Sequence, residues 1–100
     1  MRPSLYSASE LADLVGERAK ERRLARGMRQ ADLAEAAGVT LSTLKRFERS
    51  GTVGFEAVAR IALALGAERE LAALFPPAEA RSLDEILVGN RKRVRARKKA

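Results

Sequence analysis

The chain of 100 residues contains no cysteine and no histidine. These absences exclude disulfide bonds, thiol nucleophiles and imidazole bases, and they remove the usual ligands of zinc and other transition metals. We therefore expect no cofactor and no metal site. No segment approaches the ~20 uninterrupted apolar residues that a membrane span requires, and residues 1–10 lack the apolar region of a signal peptide. The sequence thus predicts a cytoplasmic, soluble protein with no membrane partner.

Aromatic residues are also scarce, with one Tyr, three Phe and no Trp. The apolar share of 46% consists mainly of Ala and Leu, a mixture that favours closely packed helices over a β-sheet. A chain of this length forms one core rather than two. The composition therefore predicts an all-α fold.

The net charge of +7 lies at the C-terminal end. Residues 91–99 carry seven basic side chains and no acidic one, which leaves 13 basic and 13 acidic side chains in residues 1–90. Like charges at such density repel one another and favour disorder. We expect residues 1–77 to form the folded domain and residues 78–100 to form an extension with a disordered basic tail.

Apolar spacing and turn residues divide the folded part into five helices. Ser7 and Glu10 have the spacing of a capping box, Gly38 stands where a left-handed residue is wanted, and Thr40 is a good N-cap. Pro76 and Pro77 forbid continuation of the last helix. The predicted helices cover residues 8–25, 30–37, 41–49, 55–65 and 68–75.

The stretch from Gly27 to Gly51 resembles the helix-turn-helix of the Cro and lambda-repressor-like family, also called Xre-like. It shares Gln30 at the start of the second helix, a Leu-Ala pair, an Ala-Gly-Val turn, and Glu48 followed three residues later by glycine. The wider similarity covers residues 14–75. The resemblance implies a compact five-helix, lambda-repressor-like DNA-binding domain.

The third helix has one apolar side and one cationic side on a helical wheel. Leu44 and Phe47 share a face with Glu48, while the opposite arc carries hydroxyls and cations. A projecting helix of this kind fits the major groove of B-DNA, which is ~12 Å wide. Arg46 is the first choice for reading a base, because guanidinium bonds guanine O6 and N7 together. Lys45 and Ser42 are the second choices.

The outward side of the third helix that carries Ser42, Lys45 and Arg46 is called the reading face below. The resemblance implies further DNA-binding residues beside it. Gln30 and Thr40 match family positions that contact phosphate or buttress the reading residues. Arg29 replaces the usual N-cap, losing about 1 kcal/mol, and is expected to contact phosphate instead. Leu41 either touches a thymine methyl or extends the core, and the core edge is favoured. The expected DNA-binding residues are Arg29, Gln30, Thr40, Leu41, Ser42, Thr43, Lys45, Arg46 and Arg49.

Glu48 lies on the apolar face of the third helix, where an unpaired charge is costly. The resemblance implies a partner from the first helix, at the position of Arg23. We therefore expect a structural ion pair between Arg23 and Glu48 with no catalytic role. Arg22 and Arg26 fit a solvated helix face.

Two classes of function fit the sequence. The first is a sequence-specific, DNA-binding transcriptional regulator, expected to be a repressor that binds double-stranded DNA as a homodimer and associates with the nucleoid. The alternative is an antitoxin that inhibits a kinase-like toxin and autoregulates its operon, because the layout is similar to that of HipB-like antitoxins. Residues 82–88, which fit either a helical turn or an extended segment, are too generic to decide.

An enzyme is not expected, because no pair of carboxylates is brought into a cleft by the sequence pattern and no glycine-rich phosphate loop is present. RNA binding lacks support as well, since the few aromatic residues offer no stacking platform.

Overall fold

The computed structural model describes residues 6–78, which contain five α-helices and no strand. The helices are α1 (Ala8–Ala25), α2 (Gln30–Ala37), α3 (Leu41–Ser50), α4 (Phe55–Ala64) and α5 (Glu68–Ala72). The predicted all-α, five-helix architecture is therefore confirmed. None of these helices is long and apolar enough to cross a membrane. The predictions for the basic tail and for residues 82–88 lie outside the described residues.

The core is formed by apolar side chains of α2, α3 and α4. Its buried members are Leu33, Ala34, Ala37, Leu44, Phe47, Ile61 and Leu65. Ile61 of α4 and Leu65 directly after it lie on one helical stripe, as the spacing of the sequence predicts. The three helices thus pack around a common centre, and this packing fixes which side of α3 faces inward.

Helix α1 begins with the predicted capping box. The Glu10 amide donates to Ser7 Oγ at 3.1 Å, and the Ser7 amide donates to Glu10 Oε1 at 2.9 Å. The bond from the Ser7 amide, followed by one from the Ser7 side chain, holds the pKa of Glu10 below its ordinary value of 4.5. The reciprocal bonds satisfy amides that a free helix end would leave without partners.

Where helix α1 lies against α3, a buried glycine of α1 faces the backbone of α3. Gly16 is buried, whereas Leu11 and Val15 remain 45% and 48% exposed. A Cβ added at Gly16 would stand 2.0 Å from the carbonyl oxygen of Phe47. The two backbones therefore approach so closely that no side chain fits between them.

The turn between α2 and α3 has the predicted form. Gly38 is left-handed, with φ 68° and ψ 32°, and the Val39 amide donates to the Ala34 carbonyl at 3.1 Å. Thr40 then caps α3 by accepting a hydrogen bond from the Thr43 amide at 3.0 Å. Three residues thus join the two helices and set where α3 begins.

The last helix is shorter than predicted, because α5 ends at Ala72 instead of residue 75. The Leu74 amide bonds to the Leu71 carbonyl in a tighter turn, and Phe75 has a positive φ of 54°. A residue that precedes proline is disfavoured in the helical region, so the chain leaves the helix before Pro76. The other predicted bounds differ by one residue or less.

Candidate nucleic-acid interface

The outward side of α3 forms a shallow depression of about 440 Å³. Its lining residues are all exposed: Leu41, Ser42, Lys45, Arg46 and Arg49. On the opposite side of the helix, Leu44 and Phe47 are almost completely buried, at 0% and 2% exposure. The predicted reading residues are therefore brought together on one accessible face.

This face is chemically suited to an anionic, hydrogen-bonding partner. Three of its five residues are cations, one is a hydroxyl and none is acidic. Guanidinium and ammonium groups bond phosphate oxygens and the acceptors on base edges.

The predicted ion pair between Arg23 and Glu48 is present and buried. Arg23 Nε lies 2.7 Å from Glu48 Oε2, and Arg23 Nη2 lies 3.1 Å from Oε1. Their side chains are only 7% and 3% exposed. Arg23 Nη1 also donates to the Met28 carbonyl at 2.8 Å. The pair fixes α3 against α1 from the side opposite the reading face.

Gln30 completes this network from the start of α2. Its Nε2 donates to Glu48 Oε1 at 3.0 Å, and the residue is half-buried. Two roles were expected for Gln30, contact with phosphate or support of the reading residues. This hydrogen bond to Glu48 fits the supporting role. One carboxylate therefore links the three helices that carry and support the reading face.

The start of α2 differs from expectation in one respect. Arg29 makes no side-chain capping bond to the helix, as expected, but Asp32 Oδ2 accepts a hydrogen bond from the Arg29 amide at 3.0 Å. The same carboxylate pairs with the Arg29 guanidinium, with both contacts at 3.2 Å. These bonds, the side-chain ones foremost, lower the pKa of Asp32 from its ordinary 3.8. The Arg29 guanidinium, expected to face phosphate, is directed to Asp32.

Sequence reasoning missed Asp32, although a signal was present. An acidic residue three positions after an N-cap is the second half of a capping box. Asp32 accepts the hydrogen bond from the N-cap amide. The Arg29 side chain makes no capping bond to a backbone amide of the helix.

Leu41, for which the core edge was the favoured interpretation, is not one of the buried core residues. It is 39% exposed. It occupies the first position of α3, beside Ser42 in the same depression. The two threonines near it bond to each other, since the Thr40 hydroxyl donates to Thr43 Oγ1 at 2.9 Å.

Two helices joined by a short glycine turn, with a cationic face on the second, define a helix-turn-helix DNA-binding domain. A family model described as Helix-turn-helix matches residues 20–71, just over half of the chain. The chain therefore belongs to the Cro and lambda-repressor-like, or Xre-like, helix-turn-helix family. The family is one of DNA-binding domains of transcription regulators and not of enzymes. No curated protein matches the chain.

Proposed function

We propose that the chain is a sequence-specific transcriptional repressor that inserts α3 into the major groove of its operator. One observation carries the proposal: the cationic side of α3 is accessible while its apolar side is fixed by the core and by Glu48. A helix held in this way enters a groove without disturbing the fold. Because the side chains on its outer face are not needed for packing, they are available to contact bases and phosphates.

The residues have distinct roles in this proposal. Arg46 reads guanine through two hydrogen bonds, with Lys45 and Ser42 as further base contacts. Gln30 positions α3 through Glu48. Residues at the edges of the reading face contact phosphate and set the register without reading sequence. These edge residues are Thr40, Thr43, Arg49 and Arg29, whose 83% exposed side chain exchanges Asp32 for phosphate in this proposal.

The functional unit in this proposal is a homodimer on a palindromic operator. Two copies of α3 then enter successive major grooves on one side of the duplex, about 34 to 36 Å apart. Residues 91–99 add attraction to the phosphate backbone that does not depend on sequence.

Selection of bound duplexes from a random pool by the full chain tests the function. We expect a palindromic consensus, and in Arg46→Ala we expect loss of preference at one base pair per half-site, worth about 1 to 3 kcal/mol. Arg22→Gln is the matched control, since Arg22 pairs with Glu70 of α5 and should leave the consensus unchanged. Absence of enrichment, or equal weakening on all sequences in Arg46→Ala, would contradict the proposal.

An antitoxin is the second candidate function, and the exposed apolar residues beyond α3 favour it. Leu63, Leu74 and Phe75 are 65%, 49% and 87% exposed, and each leaves apolar surface available to a protein partner. Co-expression with a kinase-like toxin from a neighbouring gene tests this role. Capture and inhibition of the kinase by the full chain, retained in Arg46→Ala and abolished on removal of residues 78–100, would support it.

A further inference from the structure

Leu41 is an apolar residue within an otherwise polar reading face. It shares the depression on α3 with a hydroxyl and three cations. Leu41 is not one of the buried core residues, and an exposure of 39% leaves part of its apolar surface in solvent. The exposed part of Leu41 is therefore available for apolar contact with a ligand in the depression.

Position in the helix strengthens this interpretation of Leu41. It is the first residue of α3, directly after the Thr40 cap. In helix-turn-helix complexes the N-terminal residues of the second helix are those that contact base edges. Leu41 is thus on the part of α3 that lies nearest to the bases when the helix enters the groove.

The major groove presents one apolar group among the four bases. Adenine, guanine and cytosine show hydrogen-bonding groups there, whereas thymine adds its 5-methyl group. A leucine side chain has no donor and no acceptor, so it gains nothing from the polar edges. Contact with a methyl group removes apolar surface of both partners from water.

We propose that Leu41 recognises the 5-methyl group of one thymine in each operator half-site. This inference rests on the proposed function of α3 as the reading helix. It assigns Leu41 a part in specificity separate from that of Arg46: the arginine selects guanine by hydrogen bonds, and the leucine selects thymine by its methyl group.

Deoxyuridine substitution tests the inference, because it removes only the methyl group and keeps base pairing. Each thymine of the selected consensus is replaced in turn in a synthetic duplex, and the Kd of the full chain is measured by fluorescence anisotropy at fixed salt. We expect one position per half-site where replacement weakens binding about fourfold, the ratio for one buried apolar carbon. Indifference of binding to every replacement would overturn the inference.

The variant Leu41→Ala connects the methyl group to this side chain. We expect it to bind the thymine and deoxyuridine duplexes equally at the sensitive position. Leu24→Ala, which truncates another exposed leucine, on α1 and outside the depression, is the matched control and should keep the fourfold difference. Thermal unfolding checks that both variants fold, as expected for exposed positions. A fourfold difference that persists in Leu41→Ala would overturn the assignment.

The outcomes also distinguish failure of this inference from failure of the proposed repressor function on which it rests. A palindromic consensus without a methyl effect at Leu41 refutes the inference and leaves the repressor proposal standing. Failure of the random pool to give any consensus refutes both.

Discussion

At the scale of single residues, Glu48 is the side chain that links three helices. It accepts hydrogen bonds from Arg23 of α1 and from Gln30 of α2, and it belongs to α3 itself. We expect Glu48→Gln to lower the free energy of unfolding by about 3 to 5 kcal/mol, because it leaves the Arg23 charge buried without a counterion. That is a large part of the roughly 5 to 15 kcal/mol of a typical domain, and urea denaturation measures it.

The same substitution at Glu56 is the control. Glu56 pairs with Arg60 one turn along α4, but their side chains are 82% and 52% exposed. Solvent screens such a pair, so Glu56→Gln should cost less than about 1 kcal/mol. Destabilisation of similar size in the two variants would show that burial of the Arg23 pair contributes little.

Single residues also show where sequence reasoning succeeds. A charge on an apolar face requires a partner wherever the neighbouring helices lie, so the pairing of Glu48 was predictable. Leu41 lies about 60° from Leu44 on the wheel, between the inner and outer sides. Its exposure depends on which element covers the first turn of α3, and one helix's periodicity contains no information about its neighbours.

At the scale of elements, the contact between α1 and α3 depends on Gly16. A Cβ there would meet a backbone carbonyl at 2.0 Å, and a carbonyl cannot rotate away as a side chain can. We expect Gly16→Ala to destabilise the domain by on the order of 3 kcal/mol, at the upper end of overpacking costs. The higher helix propensity of alanine, about 1 kcal/mol, offsets only part of this. Thermal and urea unfolding measure the change.

Gly54→Ala controls for the general effect of removing a glycine. Gly54 has an ordinary φ of −63°, and an added Cβ there would meet nothing within 4 Å. We expect a change of less than about 1 kcal/mol in either direction. If Gly16→Ala were as mild as Gly54→Ala, the close approach of α1 to α3 would not exist in solution.

The elements divide into those that local chemistry determines and those that packing determines. Caps and left-handed glycines act within a few residues, so Ser7, Thr40 and Gly38 were predictable from the sequence. The end of α5 required the conformation of Phe75 before Pro76. The role of Gly16 required the position of a carbonyl on another helix, because a glycine within a helix indicates a close approach without showing what approaches.

At the scale of the whole molecule, positive charge is concentrated on the outer face of α3 and in a run of basic residues in the sequence. Residues 1–90 are neutral overall, the outer face of α3 is cationic, and residues 91–99 carry seven positive charges. A duplex attracts both groups of cations, and reading of bases requires side chains in a fixed arrangement, such as those that the described structure shows on α3. In the proposed function, α3 therefore supplies the sequence preference and residues 91–99 supply general affinity.

Neutralising residues 91–99 with serine and glutamine at constant length should separate these contributions. We expect weaker binding to the consensus and to a scrambled duplex by the same factor, with their affinity ratio unchanged. The slope of log K against log salt should flatten by about 0.9 for each phosphate that the tail no longer neutralises, and thus by up to about 6.

Arg46→Ala should change the slope by about 1 and reduce the affinity ratio. Anisotropy titrations between roughly 50 and 200 mM salt measure both quantities. A neutralised chain that kept the full slope, or that bound only the consensus more weakly, would mean that residues 91–99 do not act as a sequence-independent contact.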